Sequence, residues 1–232
     1  MNRSEQPEKK GSIMELAEYF PVWKDLTLKQ QERLSAAVSA RKAAAGTLLR
    51  GGDESCLGLV LVRTGQLRAY ILSEDGREIT IYRLFERDIC LFSASCMMNS
   101  IQFDIMIEAE KDSEIQIIAP DVYRQVMEES AALANYTNQI MADRFSEVMW
   151  LVEKIMWQSF DKRLAEFLLT ESAIEGTLQL KLTHEKIASH LGTAREVVTR
   201  MLRYFKGEGL VALGRGTVEI TDEKRLAALQ QA

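Results

Sequence analysis

Thr183-His184-Glu185-Lys186-Ile187-Ala188-Ser189-His190-Leu191-Gly192, continued by Thr193-Ala194-Arg195-Glu196-Val197-Val198-Thr199-Arg200-Met201-Leu202-Arg203-Tyr204-Phe205-Lys206, reads as two short helices joined by a glycine turn. Thr183 suits an N-cap, and Glu185 favours the positive end of the first helix. Ile187 and Leu191 give that helix an apolar stripe, and Ala188 is small where a second helix would approach. Gly192 ends it, because glycine enters the left-handed conformation without a Cβ penalty. The second helix runs from about Ala194 to Lys206. Its Val198, Met201, Leu202 and Phe205 fall at i, i+3, i+4 and i+7, the spacing of a buried face. Glu196, Thr199, Arg200 and Arg203 repeat that spacing on another face.

Two physical readings of the polar face compete. It could be a solvated surface steadied by a Glu196–Arg200 pair at i,i+4. It could instead read a major groove, where Arg donates two bonds to guanine, Glu accepts from cytosine N4 and the Thr methyl touches a thymine methyl. Context favours the second. Leu210 to Ile220 reads as a hairpin around Gly214-Arg215-Gly216, so the two helices are followed by a wing. We therefore expect a winged helix-turn-helix over residues 158–232.

Upstream, Ser130 is a plausible N-cap for a helix of some 27 residues reaching Trp157, roughly 40 Å long. Met141, Phe145, Val148, Val152 and Ile155 alternate steps of four and three along it, an a/d seam that suits pairing with a second copy. Residues 130–157 are thus expected to form a dimerisation helix, with Trp150 and Trp157 as interface packing.

Further upstream the texture is strand-like. Leu59-Val60-Leu61-Val62, Leu67 to Ile71, Glu78 to Tyr82 and Ile115 to Ile118 are β-rich runs. Gly51-Gly52-Asp53, Thr64-Gly65 and Glu74-Asp75-Gly76-Arg77 separate them as turns. Leu16 to Arg41, including Lys29 to Val38, reads as short helices, and Asp121 to Glu129 as another. The expected fold is α+β: an N-terminal antiparallel β-roll of jelly-roll type, a double-stranded β-helix, over residues 12–129, then the long helix, then the winged helix-turn-helix.

The bulk numbers fit. At 232 residues the chain can hold two domains, and 47% apolar with 27% charged residues is ordinary globular usage. No apolar run approaches the roughly 20 residues needed to cross a bilayer. The first eleven residues are polar, unlike a secretory signal or anchor. Three cysteines argue against a disulfide framework and for a reducing, cytoplasmic setting. The net charge is -5, yet His184 to Arg215 carries 6 basic against 3 acidic residues. Affinity for DNA follows the charges that face phosphates, so the balance permits it. There is no P-loop, nucleophile elbow, Gly-rich dinucleotide turn or metal-ligand cluster, and neither an enzyme nor a bound cofactor is expected. His184 and His190, six apart, do not share a metal-facing surface and are expected to be surface or packing residues.

The chain as a whole, from about Phe20 to Ile220, resembles the Crp/Fnr family of bacterial transcription regulators. The most specific stretches are Leu182 to Ala188 and Leu191 to Arg200, with the family's Arg-Glu-x-x-x-Arg pattern standing as Arg195, Glu196 and Arg200. The resemblance implies that Glu196 and Arg200 read a half-site containing TGA and that Arg195 contacts base or phosphate; Thr199 falls where members of the family differ, which leaves the outer base open, and the motif reading adds Thr183, Thr199 and Arg203 to the DNA-binding set. It implies a symmetric dimer on palindromic double-stranded DNA, with RNA polymerase a further candidate partner and no membrane. The roll resembles a cyclic-nucleotide-binding domain, with Gly46, Gly52-Asp53, Gly65 and Gly76-Arg77-Glu78 at its turns. It departs at the ligand: Leu91-Phe92 replaces the family's ribose-binding Gly-Glu pair, and Phe103-Asp104 replaces its phosphate-binding Arg-Ser pair. A buried phosphate needs cations and donors, so cyclic AMP is not the expected effector. An iron–sulfur cluster would ordinarily take four thiolates, and only three cysteines exist. Cys90 and Cys96, with Phe92 and Phe103, fall where an effector pocket would lie. The two cysteines are either a thiol switch or small buried hydrophobes.

Overall fold

The computed structural model describes residues 16–50, 57–93 and 105–231. They form two compact units: residues up to Tyr70 together with Ile81–Glu147, and Ile71–Thr80 together with Val148 onward.

The first unit is the β-roll. Strands β1 (Val38–Ala43), β2 (Leu48–Arg50), β3 (Leu59–Thr64), β4 (Leu67–Leu72), β5 (Glu78–Leu84), β6 (Ile89–Cys90), β7 (Met106–Ala109) and β8 (Ser113–Ile118) make two antiparallel four-stranded sheets, ordered β1-β8-β3-β6 and β2-β7-β4-β5. Val60, Val62, Ile115 and Ile117 of the first sheet meet Leu67, Ala69, Ile107 and Ala109 of the second in one core. Leu59, Leu61 and Ile118, on the other face of the first sheet, pack with Phe20, Trp23, Tyr123 and Leu133. Both faces of that sheet are covered, which is why Leu59 to Val62 is a continuous apolar run rather than an alternating one.

The helix expected over Lys29 to Val38 is Leu28–Ala36, started by a capping box in which Thr27 Oγ1 accepts from Gln30 N and Gln30 Oε1 accepts from Thr27 N. The helical reading does not extend to Arg41. Val38–Ala43 is an edge strand paired antiparallel with β8, Val38 opposite Ile118 and Ala43 opposite Ser113. Only Ala43 of its six residues is buried, so it carries no apolar period. Pro120–Glu129 forms the next helix. Ser130 then caps the long helix Ala131–Trp157, its Oγ accepting from Leu133 N.

In the second unit, helices Phe160–Glu175, His184–Leu191, Arg195–Gly207 and Glu223–Gln231 surround a core of Leu164, Leu168, Ile187, Val198, Leu202, Phe205 and Leu226. The expected hairpin is present as β10 (Val211–Gly214) and β11 (Thr217–Ile220), joined through Gly216 at φ 71°. A third strand, β9 (Gln179–Leu180), pairs with β11.

Candidate nucleic-acid interface

The first helix of the motif starts at His184 because Thr183 Oγ1 accepts from Lys186 N at 3.1 Å. It stops at Gly192, whose φ is 66°. Space as well as backbone demands glycine there: a Cβ would lie 2.8 Å from Ile79 Cδ1. Ile79 comes from the β4–β5 hairpin tip, which belongs to this second unit. The tip also bridges to Leu191 and places Thr80 Oγ1 2.8 Å from His190 Nδ1. His190 is buried, its ring 5.2 Å from that of Phe167, and is a packing residue.

Arg195–Gly207 follows. Val198, Leu202 and Phe205 are fully buried and Met201 partly so, while Arg195, Glu196, Arg200 and Arg203 are exposed and Thr199 is half-buried. The Glu196–Arg200 ion pair that a purely solvated face would form is not made. Among the described residues, no side chain is in hydrogen-bond or ion-pair contact with Glu196, Arg200 or Arg203. These three are held by the helix backbone with their polar ends in solvent.

Thr199 and His184 join the two helices. Thr199 Oγ1 donates to Arg195 O at 2.9 Å and lies 2.8 Å from His184 Nδ1. Partial burial, together with the Arg195 and Arg203 charges, holds the His184 imidazole below its ordinary value. A base whose folded value is depressed is protonated more readily in the unfolded chain. Stability is therefore intact above about 6.5, the ordinary histidine value, and declines as pH falls below it. We expect melting of the second unit to drop between pH 7.5 and 5.5, and His184→Asn to shrink that drop. An unchanged pH dependence in the variant would assign the effect to another group.

In the roll, Cys90 and Phe92 are buried in the inner core. The Tyr82 hydroxyl lies 3.5 Å from Cys90 Sγ, and the Tyr82 and Phe92 rings are 5.7 Å apart. The Arg144 guanidinium sits 4.6 Å over the Tyr82 ring and pairs with Glu147 at 2.7 Å. Burial pushes the Tyr82 phenol up, keeping it neutral and able to donate. Tyr82 and Arg144 were not evident as site residues in the sequence, because their meeting joins a strand to a helix 62 positions later. Cys96, Phe103 and Asp104 lie outside the described residues.

Along the long helix, Met141 and Val148 are half-buried, and Met141 packs against both cores of the roll. Phe145, Val152 and Ile155 are exposed. Met149, Trp150, Met156 and Trp157 are exposed as well, and Phe145, Met149, Val152 and Met156 again form an exposed stripe in steps of four and three. Only the residues' neighbours distinguish this stripe from the expected seam, since both satisfy the same period.

Residues 162–229 match the Crp-like helix-turn-helix domain model. A solved Eubacterium rectale protein of the Crp/Fnr family is 57% identical, covers 92% of this chain and 99% of its own, and superposes with a TM-score of 0.90. The chain belongs to the Crp/Fnr family. Among curated Crp/Fnr-like relatives, the global nitrogen regulator of Synechococcus elongatus is 25% identical over 183 residues, 75% of this chain and 81% of that one. The cyclic AMP receptor protein of Thermus thermophilus is 26% identical over 165 residues, 71% and 75% of the two chains. This Crp/Fnr protein is accordingly a DNA-binding transcription regulator, and its relatives are regulators rather than enzymes. No helix among the described residues is long and apolar enough to cross a membrane.

Proposed function

We propose that this regulator is a homodimer that binds a palindromic promoter site in response to a small-molecule or redox signal received by the roll, the signal being other than cyclic AMP. The observation that carries the reading is the exposed Glu196–Arg200–Arg203 face, whose charged groups make no pairs with one another. A guanidinium not already held by a carboxylate can donate both its bonds to guanine O6 and N7. In the family's pattern, Glu196 and Arg200 address the core of a TGA-containing half-site. Arg195 and the amide-rich start of the helix capped by Thr183 suit phosphates. Pairing along the exposed stripe of the long helix would present two such faces to successive major grooves. The buried Tyr82–Cys90–Phe92 group, roofed by Arg144 from the long helix, is where an effector or thiol chemistry could alter that pairing. Only a ligand with different affinity for two arrangements could drive such a change.

The test is Arg200→Ala, measured by fluorescence anisotropy on a palindromic duplex and on a scrambled one. Affinity for the palindrome should fall by about 1–3 kcal/mol, with relaxed preference at one base pair per half-site and little change on the scrambled duplex. Unchanged affinity and sequence preference would remove Arg200 from the reading face.

A further inference from the structure

Thr199 stands on the reading face, one position before Arg200, and its hydroxyl is already engaged. A threonine hydroxyl has one hydrogen and two lone pairs. That hydrogen goes to Arg195 O, and His184 Nδ1 occupies a second direction at 2.8 Å. With that hydrogen on Arg195 O, a His184 tautomer carrying hydrogen on Nδ1 donates it to Thr199. If the hydrogen is shared the other way, from Thr199 to His184, it still remains within the protein. Either arrangement leaves Thr199 no donor for a base acceptor. What it retains for a base is its methyl group and at most one lone pair.

We infer that His184 is a positioning residue that makes Thr199 an apolar reader, so that each half-site carries a thymine recognised through its 5-methyl group. The inference rests on Arg195–Gly207 being the groove-reading helix. In the major groove the thymine methyl is the one apolar feature of the four bases. A hydroxyl free to rotate would tolerate several bases, because it can donate or accept as required. Tethered from the neighbouring helix, it cannot. The depressed His184 value agrees with this, since a neutral ring serves as a single donor.

The experiment compares duplexes in which each thymine of the half-site is replaced in turn by uracil, which differs only by the methyl group. For the unsubstituted protein we expect one position per half-site where uracil weakens binding by about fourfold, the worth of burying one methyl-sized group. Thr199→Val should keep that dependence, since it retains a methyl and discards the hydroxyl. Thr199→Ser should lose it, and His184→Ala should reduce it by releasing the hydroxyl. Full methyl dependence in His184→Ala, or its loss in Thr199→Val with retention in Thr199→Ser, would overturn the inference. A protein that binds all duplexes alike would instead overturn the groove-reading assignment beneath it. Thr199→Val and Thr199→Ser are near-isosteric changes at a half-buried position outside the core, so they remain decisive if His184→Ala fails to fold.

Discussion

Met149→Glu combined with Val152→Glu should yield a single-chain species in native mass spectrometry and weaken binding to the palindromic duplex by at least a hundredfold. Both residues are exposed on the long helix and follow Phe145 and precede Met156 in the four-three stripe. Large apolar groups left in such a line mark a surface that a partner covers. In a symmetric pair each glutamate would sit close to its own counterpart, so four carboxylates would be desolvated beside like charges. Separating the chains removes the effective concentration that joins two half-site contacts, which is worth about 10²–10⁴ in affinity. Neither side chain belongs to the buried cores, so each unit should keep its own melting transition. A two-chain mass that survives the double substitution would mean that the stripe is not the pairing surface.

Phe205→Ala should be more damaging to the fold, and only to part of it. The ring is fully buried among Val198, Leu202, Leu164 and Leu168. Truncating such a side chain costs about 3–5 kcal/mol through lost burial and a residual cavity. Against a typical stability of about 5–15 kcal/mol, that is a large fraction. Calorimetry should show the transition of the second unit moved sharply down, the roll's transition little changed, and specific DNA binding lost at physiological temperature. Coincident movement of both transitions would show that the two units unfold as one.

The recognition motif was the most legible part of the chain. Thr183, Gly192 and the Val198–Leu202–Phe205 spacing are local signals, each acting within one or two turns, and the structure places all of them as their chemistry requires. The hairpin at Gly214 to Gly216 was legible for the same reason. The edge strand Val38–Ala43 was not, because its backbone pairing with β8 supplies what its side chains do not announce. β2 and β6 span three and two residues, too few for any period to appear. Heptad spacing on the long helix marked it as a seam, but it could not tell that Met141 also packs against the roll. The His184–Thr199 bond was equally hidden: two helices must first pack before residues 15 apart can meet.

The β4–β5 tip bears on how such regulators could be recombined. Sequence order suggests a cassette that begins after the long helix and can be exchanged whole. Yet Ile79 fills the space that any side chain at Gly192 would need, and Thr80 is the hydroxyl partner of buried His190. The exchangeable piece is therefore discontinuous, with residues 71–80 travelling alongside the C-terminal segment. A chimera that changed one without the other would carry a mismatched joint where Ile79 meets Gly192.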